Sequence, residues 1–292
     1  MQDFCELLIS VGEGGGIYAL SALAFLLILR PTGIINFAVG ELATLGAFTG
    51  VAALAWAKLP YVIGLPLVVC TVGLISLLTE RLTVRPLMAR NAPVLSPVLV
   101  LLGMLTVYRE VGTSIFGTQN LFSPPPFGFG RVAIGPFAGA SQSFLIIAVT
   151  AVVFTATWLF FERTLWGKAF EAIAINRFAA ALVGINYSLA VMLSFAAGGA
   201  MAALAGLLQS PLTSASYLMG FPIAIKGFTA LMIGGAARVE GALLGGLLLS
   251  LTEKLVLRYA PIPPGFALGV PFVLLILFLV LKPRGLLSEV RG

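Results

Sequence analysis

Two long runs of sequence without a charged residue restrict this chain to a membrane environment. Residues 132–161 and residues 178–225 contain no Asp, Glu, Lys or Arg. Charged residues make up only 10% of the 292-residue chain, whereas they make up about 25% of a soluble domain. Because a membrane-spanning helix needs about 20 apolar residues, the sequence predicts an all-α integral membrane protein that forms a single domain over residues 1–292.

Nine apolar windows follow one another along the chain. They predict about eight to ten transmembrane helices, because several windows are too short or too interrupted to cross a hydrocarbon core of about 30 Å unaided. Short, Gly-interrupted segments in corresponding places also predict broken helices and two pseudo-repeated halves. The windows are residues 14–29, 42–57, 61–79, 95–116, 143–161, 187–209, 221–235, 241–257 and 265–281.

The distribution of Lys and Arg predicts an orientation, because cytoplasmic loops of membrane proteins are enriched in these residues. The loop 80–93, the polar insert 163–186 and the C-terminal tail carry nine of them, whereas the opposite side carries Lys58, Arg131 and Arg258. We therefore expect a multi-pass protein of the bacterial inner membrane, with its N-terminus outside and its C-terminus in the cytoplasm. Residues 117–142 then form the largest external loop, an irregular cap rich in Pro and Gly.

Several classes of function are excluded by residues that the chain lacks. It contains no His, only two Cys residues and no G-x-x-x-x-G-K-[ST] phosphate-binding loop. We therefore expect no metal site, no cofactor and no ATP hydrolysis by this chain. The net charge of +6 reflects the cytoplasmic loops rather than an affinity for nucleic acid. These absences favour a transporter over an enzyme, with membrane lipid as one partner.

The polar insert has the pattern of a short capped helix. Asn176 is suited to cap the start of a helix, and Gly184 is suited to the left-handed position that ends one. Between them, Phe178 and Leu182 share an apolar face. Small residues elsewhere in the insert, such as Ala172, let another surface approach closely. The pattern predicts either a helix that docks in a groove of a cytosolic partner or an amphipathic helix that lies on the lipid surface.

Two Gly-flanked breaks interrupt the apolar windows, one after Pro31-Thr32-Gly33 and one at Gly234-Gly235. Unwound backbone is tolerated in a membrane only where it is buried in protein or lines a water-filled cavity. The breaks therefore predict a substrate path between them, with close helix packing and flexible hinges as the alternatives. The candidate path residues are Asn36, Glu41, Lys226, Gly234 and Gly235, with Arg238 and Glu240 beside the second break.

Charges inside the apolar windows are costly, and such charges mark functional positions by default. Glu41 lies in the first break, directly before the window 42–57, and it either lines the path or forms a structural pair with Arg30 near the cytoplasmic end. Arg109 and Glu110 are adjacent in sequence, so they point to different faces of a helix. We expect both to lie at the membrane interface, where long side chains reach water.

Five segments of the chain resemble one family of transport proteins, in the order that the family has them. Glu171-Ala172 and Gly184-Ile185, within GKAFEAIAIN…AAALVGIN, resemble the EAA-type loop of ABC importer permeases. Together the segments resemble the branched-chain amino acid permease family, of its smaller "H" subunit type, over nearly the whole chain. The other four are GIINFAVGE (33–41), ERLTVRPL (80–87), KGFTALMIGGAARVEGALLGG (226–246) and KPRGLL (282–287).

The resemblance implies the permease subunit of an ABC importer for branched-chain amino acids or related small polar solutes. It implies as partners two cytosolic ATPase subunits, a periplasmic substrate-binding protein, and a second permease subunit that is a different relative or another copy of this chain. An ion-coupled secondary transporter is the alternative, although few carboxylates lie in the apolar windows to serve as ion relays. The residues implied to couple the chain to the ATPase are Glu171, Ala172, Asn176, Phe178, Leu182 and Gly184.

Overall fold

The computed structural model describes residues 2–90, 92–93, 95–125, 130–134, 137–259, 269–282 and 285–287. Helices account for most of these residues, and one antiparallel hairpin joins α5 to α6. The predicted all-α membrane class is confirmed. The elements are α1 (Gln2–Thr32), α2 (Val39–Gly50), α3 (Tyr61–Thr79), α4 (Arg85–Ala89), α5 (Leu95–Phe116), β1 (Arg131–Ile134), β2 (Phe137–Ala140), α6 (Ser141–Arg163), α7 (Leu165–Ile175), α8 (Arg177–Leu182), α9 (Tyr187–Thr213), α10 (Gly220–Gly234), α11 (Val239–Tyr259) and α12 (Val270–Leu281).

Short π-helical segments lengthen two of the helices. Val51–Trp56 extends α2, and Glu80–Val84 joins α3 to α4. With these extensions, six helices of the described residues are long and apolar enough to cross a membrane, or seven spans when a bent pair is counted as one. This number is lower than the predicted eight to ten, because two predicted windows form the single bent pair α10–α11 and the last window yields only the short apolar helix α12.

The centre of the bundle is formed by α1 and α9. Helix α1 packs against α6, α9, α10 and α11, and α9 packs against α2 and α3 as well. Small residues permit this closeness: a Cβ added to Gly46 of α2 would overlap the backbone of Ala203 in α9, and one added to Gly206 of α9 would overlap that of Ala43. Lipid tails give helices no hydrophobic reason to associate, so such close contact is what holds them together.

The two ends of the bundle differ in what they contact. At one end the start of α1 meets the start of α6, where the Ser143 hydroxyl donates a hydrogen bond to Glu13. At the other end Arg30 of α1 lies 3.8 Å from a carboxylate oxygen of Glu171 in α7. The polar insert therefore lies at the same end as the last turn of α1, opposite the hairpin.

Part of the predicted irregular cap is ordered. Strands β1 and β2 pair within it, and the backbones of Leu121 and Ala215 exchange two hydrogen bonds of 2.8 Å. Ser123 is fully buried, although an external loop residue is expected to be exposed. Pro126 of the predicted cap and the tail residues Arg284 and Arg291 lie outside the described residues.

Candidate translocation path and coupling insert

The first break is an ordered turn rather than a loose connection. Gly33 has a φ of +69°, a left-handed conformation that suits glycine. The Thr32 hydroxyl accepts a hydrogen bond from the backbone of Ile34 (3.0 Å), and the Asn36 side chain accepts one from the backbone of Ala38 (3.0 Å). Asn36 is buried, so this candidate path residue shapes the backbone that leads into α2.

The beginnings of α2 and α10 meet inside the bundle. A Cβ added to Gly40 would overlap the carbonyl of Gly220, and one added to Gly220 would lie 2.8 Å from the carbonyl oxygen of Gly40. Only glycine at both positions allows this approach. The structure thus brings the start of α2, just after the first break, next to the start of α10, whereas the second predicted break, Gly234-Gly235, lies at the far end of α10.

Glu41 forms a buried ion pair with Arg109. The Arg109 Nη2 and Nε atoms donate to Glu41 Oε1 at 2.6 and 3.1 Å, and the Glu41 side chain is almost completely buried. The expectation of a Glu41–Arg30 pair is therefore wrong, because the partner of Glu41 is Arg109. Sequence reasoning missed the pair because its members are 68 residues apart, although each was noted as a charge in or beside an apolar window.

A largely apolar cavity of about 320 Å³ lies beside this ion pair. Glu41 is its charged lining residue, and Arg109 follows the lining residue Leu105 by about one helical turn. Carboxylates are rare in membrane spans unless they have a function, so the cavity is the candidate path. Its wall comes from α2, α5, α10, α12 and the first break: Phe37, Gly40, Glu41, Leu102, Leu105, Gly220, Phe221, Ala224, Ile225, Phe228, Phe272 and Leu275.

Lys226 belongs to a separate buried cluster that joins α1, α10 and α11. Its Nζ donates to Glu253 Oε1 and to the Tyr18 hydroxyl, both at 2.7 Å, and that hydroxyl donates to Glu253 Oε2 at 2.6 Å. The ammonium group also lies 4.8 Å from the centre of the Tyr18 ring. Every charge in the cluster has an opposite or polar partner, as a buried charge requires. The cluster does not include Glu41.

The second break contains the bend between α10 and α11, whose axes differ by 116°. Gly235 has a φ of +96° there. The backbone N–H groups of Leu286 and Leu287 donate to the carbonyl oxygens of Ile233 and Gly234 at 2.9 and 3.0 Å. Gly234 and Gly235 are thus covered by the chain that follows α12.

A polar cavity of about 290 Å³ separates this bend from the polar insert. Arg238 and Glu240 line it from the bend, and Lys168 and Glu171 line it from α7. Lys168 donates to Glu171 at 3.1 Å, and this hydrogen bond raises the pKa of the Lys168 ammonium. Charges of both signs therefore lie close together between the insert and the bend.

Helix α7 is fixed to the membrane helices. Thr164 caps its start by accepting a hydrogen bond from the backbone of Gly167 at 3.0 Å. A Cβ on Gly167 would overlap the backbone of Phe160 and Phe161, so glycine lets α7 fold back onto the end of α6. Phe170 is buried against both phenylalanines, and Ala172 packs against the core.

Helix α8 has the caps that the sequence predicted. The Asn176 side chain accepts hydrogen bonds from the backbones of Phe178 and Ala179, both at 3.0 Å. Gly184 follows the helix with a φ of +83°. Between the caps, Phe178 is 73% exposed and Leu182 is 75% exposed, and their spacing of four places them on one face. The insert therefore presents a small apolar face between two helix caps that nothing in the described chain covers.

The fold of this chain is found in a solved structure. The complex "PsaBC from Streptococcus pneumoniae in complex with Fab" matches with a TM-score of 0.51 at 13% identity, over 97% of this chain and 93% of that one. At this identity the likeness shows the fold alone.

Similar sequences are transport permeases. The high-affinity branched-chain amino acid transport system permease proteins LivH of Salmonella typhimurium and BraD of Pseudomonas aeruginosa are each 30% identical to this chain, over 94% of it and 92% of the relative. The galactose/methyl galactoside import permease protein MglC of Escherichia coli is 28% identical over 59% of this chain and 50% of its own length. The family model described as "Branched-chain amino acid transport system / permease component" matches residues 11–279. The chain therefore belongs to the family of branched-chain amino acid transport system permease components.

Proposed function

We propose that the chain is the membrane permease subunit of an ABC importer and that it passes branched-chain amino acids or closely related small solutes. A separate cytosolic ATPase supplies the energy, a periplasmic binding protein delivers the substrate, and a second permease subunit completes the path. The observation that carries the proposal is the exposed apolar face of α8, made by Phe178 and Leu182 between two helix caps. A permease without a nucleotide site needs such a contact in order to respond to ATP.

The surroundings of α8 favour a protein partner over a lipid surface. Amphipathic helices that lie on membranes carry many Lys and Arg residues that attract anionic lipid. Helix α8 carries a single basic residue, Arg177, and Lys168 of α7 lies 3.1 Å from Glu171 and 3.4 Å from Glu162, so the Lys168 charge is balanced within the protein. Helix α8 is also held by α7, which is itself fixed to α6, and a rigid mount suits a contact that transmits movement.

The cavity beside Glu41 supports a path between two permease subunits. Three of its apolar lining residues, Leu102, Phe221 and Phe272, are exposed on the surface of the isolated chain. A second subunit placed against this face would enclose the cavity and remove these side chains from lipid. The ion pair between Glu41 and Arg109 would then lie next to the interface between the subunits.

Reconstitution tests the proposed function. Vesicles that contain the permease subunits and the ATPase, and that receive leucine-loaded binding protein, should take up leucine only when ATP is supplied to the ATPase side. Uptake should persist when ionophores dissipate proton and sodium gradients. Leucine uptake without the ATPase that stops on addition of ionophores would instead establish an ion-coupled secondary transporter.

Thiol labelling tests the proposed orientation. In a background without Cys5 and Cys70, single cysteines are placed at Lys168 in the insert and at Gln119, an exposed residue of the proposed external loop. An impermeant thiol reagent applied to intact cells should label the cysteine at 119 and not the one at 168. The reverse pattern would place the insert outside the cell, where it could not meet an ATPase. Ser123 is unsuited as a reporter because it is fully buried.

A further inference from the structure

The Glu41 carboxylate is only half satisfied. Both hydrogen bonds from Arg109 reach the same oxygen, Oε1. The other oxygen, Oε2, is buried and has no hydrogen-bond partner among the described residues. The Thr44 hydroxyl is close enough to interact with the Glu41 carboxylate, but the hydrogen bond that it makes is a long one of 3.3 Å to the carbonyl of Gly40. A buried carboxylate oxygen without a partner is costly, so an unused acceptor in this position indicates a site for a donor that comes from outside the chain.

The cavity beside this oxygen has the character of a small-ligand site. Its volume of about 320 Å³ lies at the small end of the range of ligand pockets, roughly 300–1,000 Å³. Phe37, Phe228 and Leu275 give it hydrocarbon walls, and Glu41 is the charged residue in its lining. Ligand sites of this kind combine an apolar wall with a few placed polar groups that orient the ligand.

We propose that Glu41 and Arg109 exchange their mutual ion pair for ion pairs with the two charges of an apolar α-amino acid, and we call these two residues the clip. This proposal deepens, and rests on, the proposed function. The ammonium group of the substrate donates to the Glu41 carboxylate. The guanidinium of Arg109, released from Glu41, donates two parallel hydrogen bonds to the substrate carboxylate. The aliphatic side chain occupies the apolar cavity.

Charge balance makes this exchange possible within a membrane. The empty pair has no net charge, and a zwitterionic amino acid has none either, so binding buries no unpaired charge. Each charged group leaves one opposite partner and gains another, which avoids the large cost of an isolated ion in the interior. A ligand with only one of the two charges would leave either Glu41 or Arg109 without its partner. The clip therefore selects for the zwitterion.

Displacement of bound leucine tests the clip without the binding protein. The permease–ATPase complex in lipid nanodiscs is equilibrated with radiolabelled leucine. The competitors are 3-methylbutylamine, which lacks the carboxylate, and 4-methylpentanoate, which lacks the ammonium group. Glu41→Gln and Arg109→Gln should each weaken leucine binding at least about tenfold, the effect of one lost charge-assisted hydrogen bond. In the wild type neither competitor should displace leucine as well as unlabelled leucine does, whereas Arg109→Gln should become sensitive to the amine and not to the acid, and Glu41→Gln to the acid and not to the amine.

Matched variants separate recognition from folding. Glu110→Gln changes the exposed neighbour of Arg109 and should leave leucine binding and both competitors as in the wild type. Glu41→Asp and Arg109→Lys keep the charges and should retain part of the leucine affinity. Each variant is assayed only as an assembled complex with a normal thermal unfolding midpoint, and the charge-retaining variants remain informative if a glutamine variant does not assemble.

The competitor pattern decides the outcome. Wild-type leucine affinity in Glu41→Gln, or equal responses to both competitors in the two glutamine variants, would overturn the clip. The clip would also be overturned if the wild-type complex bound no leucine at concentrations at which it imports leucine. These results leave the proposed function intact, because that function is judged by ATP-dependent uptake in the wild type. A wild-type complex that imports no amino acid would refute the proposed function instead.

Discussion

Truncation of the apolar face of α8 should separate the permease from its ATPase without unfolding it. Full burial of a Phe or Leu side chain stabilises by about 1.5–3 kcal/mol relative to exposure. Phe178 is 73% exposed and Leu182 is 75% exposed, so about three quarters of this free energy is still available to an interface. Phe178→Ala combined with Leu182→Ala should therefore lower the free energy of binding by about 2–4 kcal/mol. The dissociation constant should rise roughly 30- to 700-fold.

Two measurements check this prediction. Co-purification of the ATPase at decreasing protein concentration gives the change in affinity, and uptake per ATP hydrolysed in reconstituted vesicles gives the change in coupling. The thermal unfolding midpoint of the permease alone should stay close to that of the wild type, since neither side chain is buried in it. The matched control is Val152→Ala combined with Leu159→Ala, which removes two exposed apolar side chains from α6.

The reasoning is refuted if the double variant at Phe178 and Leu182 retains its ATPase at the same concentrations and imports substrate normally. In that case α8 is not the contact, and its apolar face has another environment. The segment Glu80–Val84 and α4, at the end of the long helix that begins with α3, then become the next candidate, since they carry Arg81 and Arg85.

Three further changes probe the packing on which the site depends, each read as a thermal unfolding midpoint in detergent. Gly46→Ala should lower the midpoint because the added Cβ overlaps the neighbouring helix. Gly103→Ala, whose Cβ has no atom within 4 Å, should instead raise the midpoint through a gain in helix propensity worth up to about 1 kcal/mol. Equal effects of the two changes would contradict the packing argument. Gly184→Val should destabilise by at least about 1 kcal/mol because valine is strained at positive φ, while Gly184→Asn should be tolerated, and a neutral valine would mean that α8 does not need this cap. Lys226→Met alone should lower the free energy of unfolding by about 3–5 kcal/mol, because it leaves Glu253 buried without its cation, and adding Glu253→Leu should recover most of that loss. A neutral effect of the single change would show that the Glu253 carboxyl is already uncharged.

The polar insert was predictable because its structure follows local rules. An Asn followed by small and apolar residues and then by Gly describes a capped helix over fewer than ten residues, and no distant part of the chain is needed to form it. The structure confirms the roles of Asn176 and Gly184 as caps. What the sequence left open was how α7 is held, because that depends on Gly167 lying against the end of α6.

The ion pairs within the membrane were not predictable from local pattern. Glu41 pairs with Arg109, and Lys226 with Glu253, over separations of 68 and 27 residues. A signal was nevertheless present, since these windows hold acids and bases together and an ionised group in hydrocarbon almost always pairs. Balancing charges between windows would have suggested partners for Glu41 other than the nearby Arg30.

A continuous series of contacts connects the polar insert to the candidate clip. Arg30 lies 3.8 Å from Glu171 of α7 and 5.1 Å from the centre of the Phe161 ring at the end of α6. Three residues after Arg30 the chain turns at Gly33, and it then enters α2 through the hydrogen-bonded turn at Asn36. Because α7 is fixed to both α1 and α6, a partner that moves the insert must also move the end of α1 or break these contacts. The proposed docking of an ATPase on α8 would thereby act on the backbone that positions Glu41, the residue proposed to hold the substrate.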